Sequence, residues 1–156
     1  MSIAENIAEN IAAVRQAIAQ AAIAVGRVAD DVQLLAVSKT FGPDAVIAAA
    51  QAGQDAFGEN YLQEALDKMQ AVRTQRPDLK LTWHFIGPIQ SNKTRAIAEH
   101  FDWVHSVDRE KIAQRLSDQR PESLPPLNLC LQVNVSGEAS KSGIAPGELL
   151  PLARAV

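Results

Sequence analysis

Five times along this chain a short apolar run suited to a buried strand is followed by a segment of helical periodicity, and no other feature narrows the fold as much. The runs are VQLLAVSKT (32–40), DAFGEN (55–60), LKLTWHFIG (79–87), FDWVHSVD (101–108) and LPPLNLCLQVNVS (124–136). Behind them come GPDAVIAAAQAG (42–53), YLQEALDKMQAVRTQ (61–75), PIQSNKTRAIAEH (88–100), REKIAQRLSDQR (109–120) and, after a glycine-containing loop, PGELLPLARAV (146–156). Strict alternation makes the strands parallel, because each helix returns the chain across the sheet in a right-handed crossover. Such a sheet is expected to be covered on both faces. The fold class is therefore α/β, either an open doubly wound sheet or part of an eight-stranded barrel. A closed barrel takes about 200 to 250 residues, and the 156 present fall short of that.

One helix leads the five units. Ile7, Ile11, Val14, Ile18, Ala21 and Val25 recur at steps of four and three, which predicts an amphipathic helix over 3–26 ending near Gly26. A stripe of this kind could join a coiled coil, but the apolar surface of the following units offers it a place to pack. The expected organisation is a single domain over 1–156, with the βα units from 32 onward.

Composition excludes several classes. Hydrophobic residues make up 47% and charged residues 21%, the balance of a globular protein. Fifteen Lys and Arg against eighteen Asp and Glu give a net charge of −3 without a basic block, so no nucleic acid is expected as partner. No apolar run reaches the roughly 18 residues of a membrane span, and Glu5 and Glu9 precede the first basic residue, the wrong order for a secretory or transit peptide. The cytoplasm is the expected compartment. Cys130, the only cysteine, lies among apolar neighbours and is expected to be a buried small hydrophobe.

The strand bodies end in polar residues: Ser38-Lys39-Thr40, Gly58-Glu59-Asn60, His84-Phe85-Ile86-Gly87, His105-Ser106-Val107-Asp108 and Asn134-Val135-Ser136-Gly137-Glu138. In parallel α/β folds the carboxyl edge of the sheet carries the site, so the five clusters are expected to converge on one rim. Ser106, Asp108 and Ser136 also suit a turn or helix cap. Lys39 does not. With a period of two, Leu35, Val37 and Lys39 share a face, so the lysine is expected to continue a core-facing row. Desolvation there would favour the neutral amine, which can attack a carbonyl. A lysine snorkelling from the strand tip to water satisfies the same pattern.

Other chemistries leave no mark. His84, His100 and His105 form no compact ligand motif, so no metal is expected. GxGxxG, GxxxxGK[ST] and GxSxG are all absent.

The motifs LLAVSKT, FGENYLQEALDK, WHFIGPIQSNK, VHSVD and LQVNVSGEASKSG, in this order and separation, resemble those of the pyridoxal phosphate homeostasis proteins (the YggS/PROSC family of PLP-binding proteins). The similarity runs from about residue 30 to 145. It implies a fold like the barrel domain of alanine racemase, holding pyridoxal 5'-phosphate (PLP) at its carboxyl rim. Lys39 matches the family lysine that forms the aldimine, Asn60 a residue lining the cofactor, and His84, Ser106 and Asn134 fall where the pocket wall should be. The resemblance implies a carrier or regulator of PLP, with PLP-dependent apoenzymes as possible recipients, rather than an enzyme of known reaction. A PLP-dependent racemase or another Schiff-base enzyme using the same lysine, or a half-barrel scaffold that binds nothing, are the alternatives. The racemase alternative lacks a second domain, and Tyr61, the only tyrosine, suits a helix start.

The chain departs from the family pattern after its fifth unit. Three further units, with loops that grip the PLP phosphate and an arginine for the pyridine nitrogen, have no counterpart here. The expectation is an incomplete (β/α)8 barrel, natural or engineered, with PLP binding weakened or lost. Open strand edges and an apolar inner face then predict self-association.

Overall fold

A computed structural model describes residues 2–156. It contains six helices, α1 (Ile3–Ala24), α2 (Pro43–Gln51), α3 (Leu62–Gln75), α4 (Thr94–His100), α5 (Glu110–Gln119) and α6 (Leu149–Ala155). Between them lie β1 (Ala36–Val37), β2 (Ala56–Glu59), β3 (Thr82–Phe85), β4 (Trp103–Val107) and β5 (Asn128–Leu131). Strand order is chain order, β1-β2-β3-β4-β5, and the registered pairs β1–β2, β3–β4 and β4–β5 are parallel. Every expected strand and helix is present. The chain divides into two compact units, one comprising residues up to Gly58 with Leu66–Leu81, the other Glu59–Ala65 with Thr82–Val156.

In the first unit α1 packs on α2. Ser2 caps it in a reciprocal box with Glu5. Its end is a Schellman turn: Gly26 takes φ +72°, Gly26 N–H donates to Ile23 O and Arg27 N–H to Ala22 O. The helix therefore closes at Ala24, two residues before the expected boundary. Ile11 and Ala22 are buried whereas Val14 and Val25 are exposed, so only part of the expected stripe is covered. Arg15 ties α1 to the end of α2, donating to Ala52 O at 3.2 Å and Gly53 O at 2.7 Å. A guanidinium there satisfies carbonyls that the helix leaves open.

In the second unit Trp83, Phe85, Val104 and Val107 are buried, with Phe85 and Phe101 edge to face at 5.2 Å. Asp102 fastens the amino ends of three strands. Its carboxylate accepts from Trp83 N–H at 2.8 Å, and its carbonyl from Asn128 N–H at 3.1 Å. Arg120 repeats the role of Arg15, donating to Ala98 O and Phe101 O behind α4. The opposite face carries His84, Trp103 and His105, all half-buried. The expectation of cover on both faces therefore fails here; rings with polar atoms occupy that face, and they tolerate partial contact with water. Cys130 is likewise half-buried, not buried as expected.

Candidate functional site

The first unit places Lys39 just beyond β1, half-buried, in a turn and not in the strand. Only Ala36 and Val37 are strand, and Val37 is 49% exposed. The expected core-facing row of Leu35, Val37 and Lys39 is thus overturned. The strand stops before its alternation reaches the lysine, and Ser38 is the residue buried at the tip. Ser38 N–H donates to Gly58 O at 3.0 Å, and Ser38 O accepts from Phe41 N–H at 3.1 Å, closing a turn over Lys39 and Thr40. Thr40 takes φ +67°. That is the sign required at the third position of a type II turn, and a β-branched residue adopts it only at a cost.

Beneath this turn lies a lysine whose place on a helix would ordinarily put it in water. Lys68 on α3 is 4% exposed, and its Nζ donates to Ser38 O at 2.7 Å. The signal was available in part: Lys68 follows Ala65 by three and precedes Val72 by four, the spacing of one helix face.

The second unit brings three of the polar strand ends together. Gly87, after β3, lies against the backbone of Asn60; a Cβ on Gly87 would stand 2.9 Å from Asn60 Cα and closer still to its carbonyl oxygen. Ser106, buried at the end of β4, donates its hydroxyl to Gly87 O. Asn60, Gly87 and Ser106 therefore form one contiguous line. Among the described residues, the buried Oδ1 of Asn60 has no hydrogen-bond partner, a state that folded proteins seldom leave uncorrected.

His84 belongs to a separate group. Its Nδ1 lies 2.9 Å from His105 Nε2, and its ring stacks on Trp103 at 5.6 Å with 7° between planes. Burial, then the neighbouring His105, push the His84 imidazole down to about 4, against a small opposing pull from Asp102. Burial also lowers His105. Both rings are neutral at neutral pH. Asn134 is engaged by its own loop: its amide donates to Glu138 O and Lys141 O, and its Oδ1 accepts from Gly137 N–H. Among the described residues no cluster of three metal-ligating side chains exists, and no helix is long and apolar enough to cross a membrane.

Comparisons with known proteins agree with one another. Residues 4–156 match the family of the alanine racemase N-terminal domain. The pyridoxal phosphate homeostasis protein of Pseudomonas aeruginosa is 67% identical over 150 residues, covering 96% of this chain and 64% of the relative. Its namesake in Escherichia coli K12 is 54% identical over 151 residues, covering 97% and 64%. PipY of Synechococcus elongatus, solved with PLP bound, superimposes with a TM-score of 0.75 at 41% identity, covering 96% of this chain and 65% of that one. The crystal structure of an unknown protein from Bifidobacterium adolescentis gives a TM-score of 0.89 at 31% identity, covering 98% of this chain and 64% of that one. The chain thus spans about two thirds or slightly less of the proteins it matches, and its fold is that of an incomplete alanine-racemase-type barrel.

Proposed function

The chain belongs to the pyridoxal phosphate homeostasis proteins, within the family of the alanine racemase N-terminal domain, and from that membership we propose that it binds PLP through Lys39. The observation that carries the reading is the placement of Lys39: a half-buried amine just past the carboxyl end of a parallel strand, on a turn held in an uncommon conformation. Residues that perturb the backbone in this way cluster at functional sites.

The residues present suit one end of the cofactor. PLP supplies an aldehyde on an electron-withdrawing ring. Lys39 would hold that group through its amine, which can condense with an aldehyde with loss of water. Asn60 supplies a buried acceptor without a partner among the described residues, ready for a donor on a bound group. Ser106 and Gly87 fix the backbone of Asn60 in place. His84 adds a neutral ring held by its partners, and Asn134 stiffens the loop after β5. No residue here is assigned to the phosphate, so affinity below that of the longer relatives is part of the proposal.

The protein acts as a cytoplasmic holder of PLP that passes it to apoenzymes, without turnover of its own. Strands β1 and β5 each pair on one side only, and unpaired strand edges recruit further strands; self-association through these edges belongs to the same reading. A strictly monomeric species in sedimentation at micromolar concentration would remove that part.

The decisive measurement is borohydride trapping of the PLP-treated protein followed by mass mapping. Trapping confined to Lys39 supports the reading. Label spread over exposed lysines such as Lys141 sinks it, as does equal trapping in Lys39→Ala.

A further inference from the structure

We propose that Lys68 is a positioning residue, its buried ammonium holding the carbonyl of Ser38 and so fixing the turn that presents Lys39; this rests on the reading of Lys39 as the PLP-holding amine. The contact is non-local, joining residues 30 apart in sequence, and it is made inside the protein. Burying an ammonium is costly. Its helix face otherwise carries Ala65, Met69 and Val72, all buried and apolar, and a methionine at position 68 would continue that face without the cost. Among its contacts the lysine adds a charge-assisted hydrogen bond to the carbonyl of Ser38.

That carbonyl is the first residue of the turn. Ser38 O receives both Phe41 N–H and Lys68 Nζ, while Ser38 N–H is tied to Gly58 O. Both peptide groups flanking Ser38 are therefore fixed, and Lys39 is the next residue. Thr40 at φ +67° would relax if the turn were free to move, since such conformations persist only where the surroundings enforce them. The clamp on Ser38 is that enforcement, and it orients the amine of Lys39 for attack on an aldehyde.

The test uses this chain with Lys68→Met, Lys68→Arg and Arg15→Met. The last loses the Arg15 contacts in the same unit, away from the turn. Two properties of Lys39 are read by mass mapping: the concentration of PLP that half-saturates borohydride trapping, and the rate and pH profile of reductive methylation by formaldehyde. Lys68→Met is expected to raise the PLP concentration about tenfold and to speed methylation of Lys39 relative to Lys141. Lys68→Arg is expected to recover part of both effects. Arg15→Met should lower the thermal midpoint and move neither. If Lys68→Met changes Lys39 no more than Arg15→Met does at equal loss of midpoint, the proposal fails.

Should Lys68→Met not fold, Lys68→Arg decides. A guanidinium keeps the charge but changes the contact with Ser38 O, so PLP half-saturation and Lys39 methylation must shift more than in Arg15→Met at equal loss of midpoint; equal shifts overturn the proposal. If the parent chain traps no PLP on Lys39, the functional reading falls, and methylation alone then judges the clamp.

Discussion

Lys39 is presented by a two-residue strand and a turn with a β-branched residue at positive φ, whereas Asn60, Gly87 and Ser106 are held by backbone lying directly against backbone. The first arrangement depends on a charge brought from a helix. The second depends on the absence of a side chain. A strand end fixed by close approach has no slack and little need for polar reinforcement. A strand end fixed by a charge from a neighbouring helix keeps its shape only while that contact is made, and this is the end that carries Lys39, the residue proposed to hold the cofactor.

The contrast breaks most visibly at Gly87. Gly87→Ala puts a Cβ within 3.0 Å of Asn60 backbone atoms, and overpacking of this severity costs about 3 kcal/mol. Urea unfolding will show it; a loss below about 0.5 kcal/mol would mean the approach is not tight. Next comes pH. The His84 imidazole falls from 6.5 to about 4 on folding, so the unfolded chain takes up the proton first as pH drops. Stability should be constant above about pH 7 and decline as pH falls from 6.5 towards 4. Urea midpoints across that range test the sign, and His84→Gln should flatten most of the slope.

Ser106→Ala removes the donor to Gly87 O and should cost about 1 to 2 kcal/mol, measured the same way. Thr40→Gly relieves the positive φ and should gain about 1 kcal/mol by thermal unfolding; a loss would mean the turn is not under tension. Lys39→Ala should leave stability within about 0.5 kcal/mol, because the lysine is half-buried in a turn and not part of the core.

The alternation of strand and helix was legible because it rests on local periodicity and on glycine and proline punctuation, which a linear sequence displays. The length of β1 was not. VQLLAVSKT has strand composition throughout, yet only Ala36 and Val37 pair, because a strand bonded on one side alone has fewer ladder contacts to extend it. Nor was the burial of Lys68, because a lysine on a helix reads as solvated, and the carbonyl it meets lies 30 residues away. Gly87 precedes a proline and reads as turn punctuation; its steric reason comes from the backbone of a different strand end. Asn134 was singled out by its place after a strand, and its partners Gly137, Glu138 and Lys141 all lie in its own loop. The other three details are set by non-local contacts.

The two histidines on β3 and β4 share a single hydrogen between His84 Nδ1 and His105 Nε2. With both rings neutral, each carries one N–H. If His84 donates inward, its Nε2 is bare and His105 shows a proton on Nδ1; if His105 donates inward, both assignments reverse. The outward nitrogens therefore always offer one donor and one acceptor. Moving a hydrogen bond at either ring obliges the other to exchange its tautomer, so the pair behaves as a two-position relay written into adjacent strands.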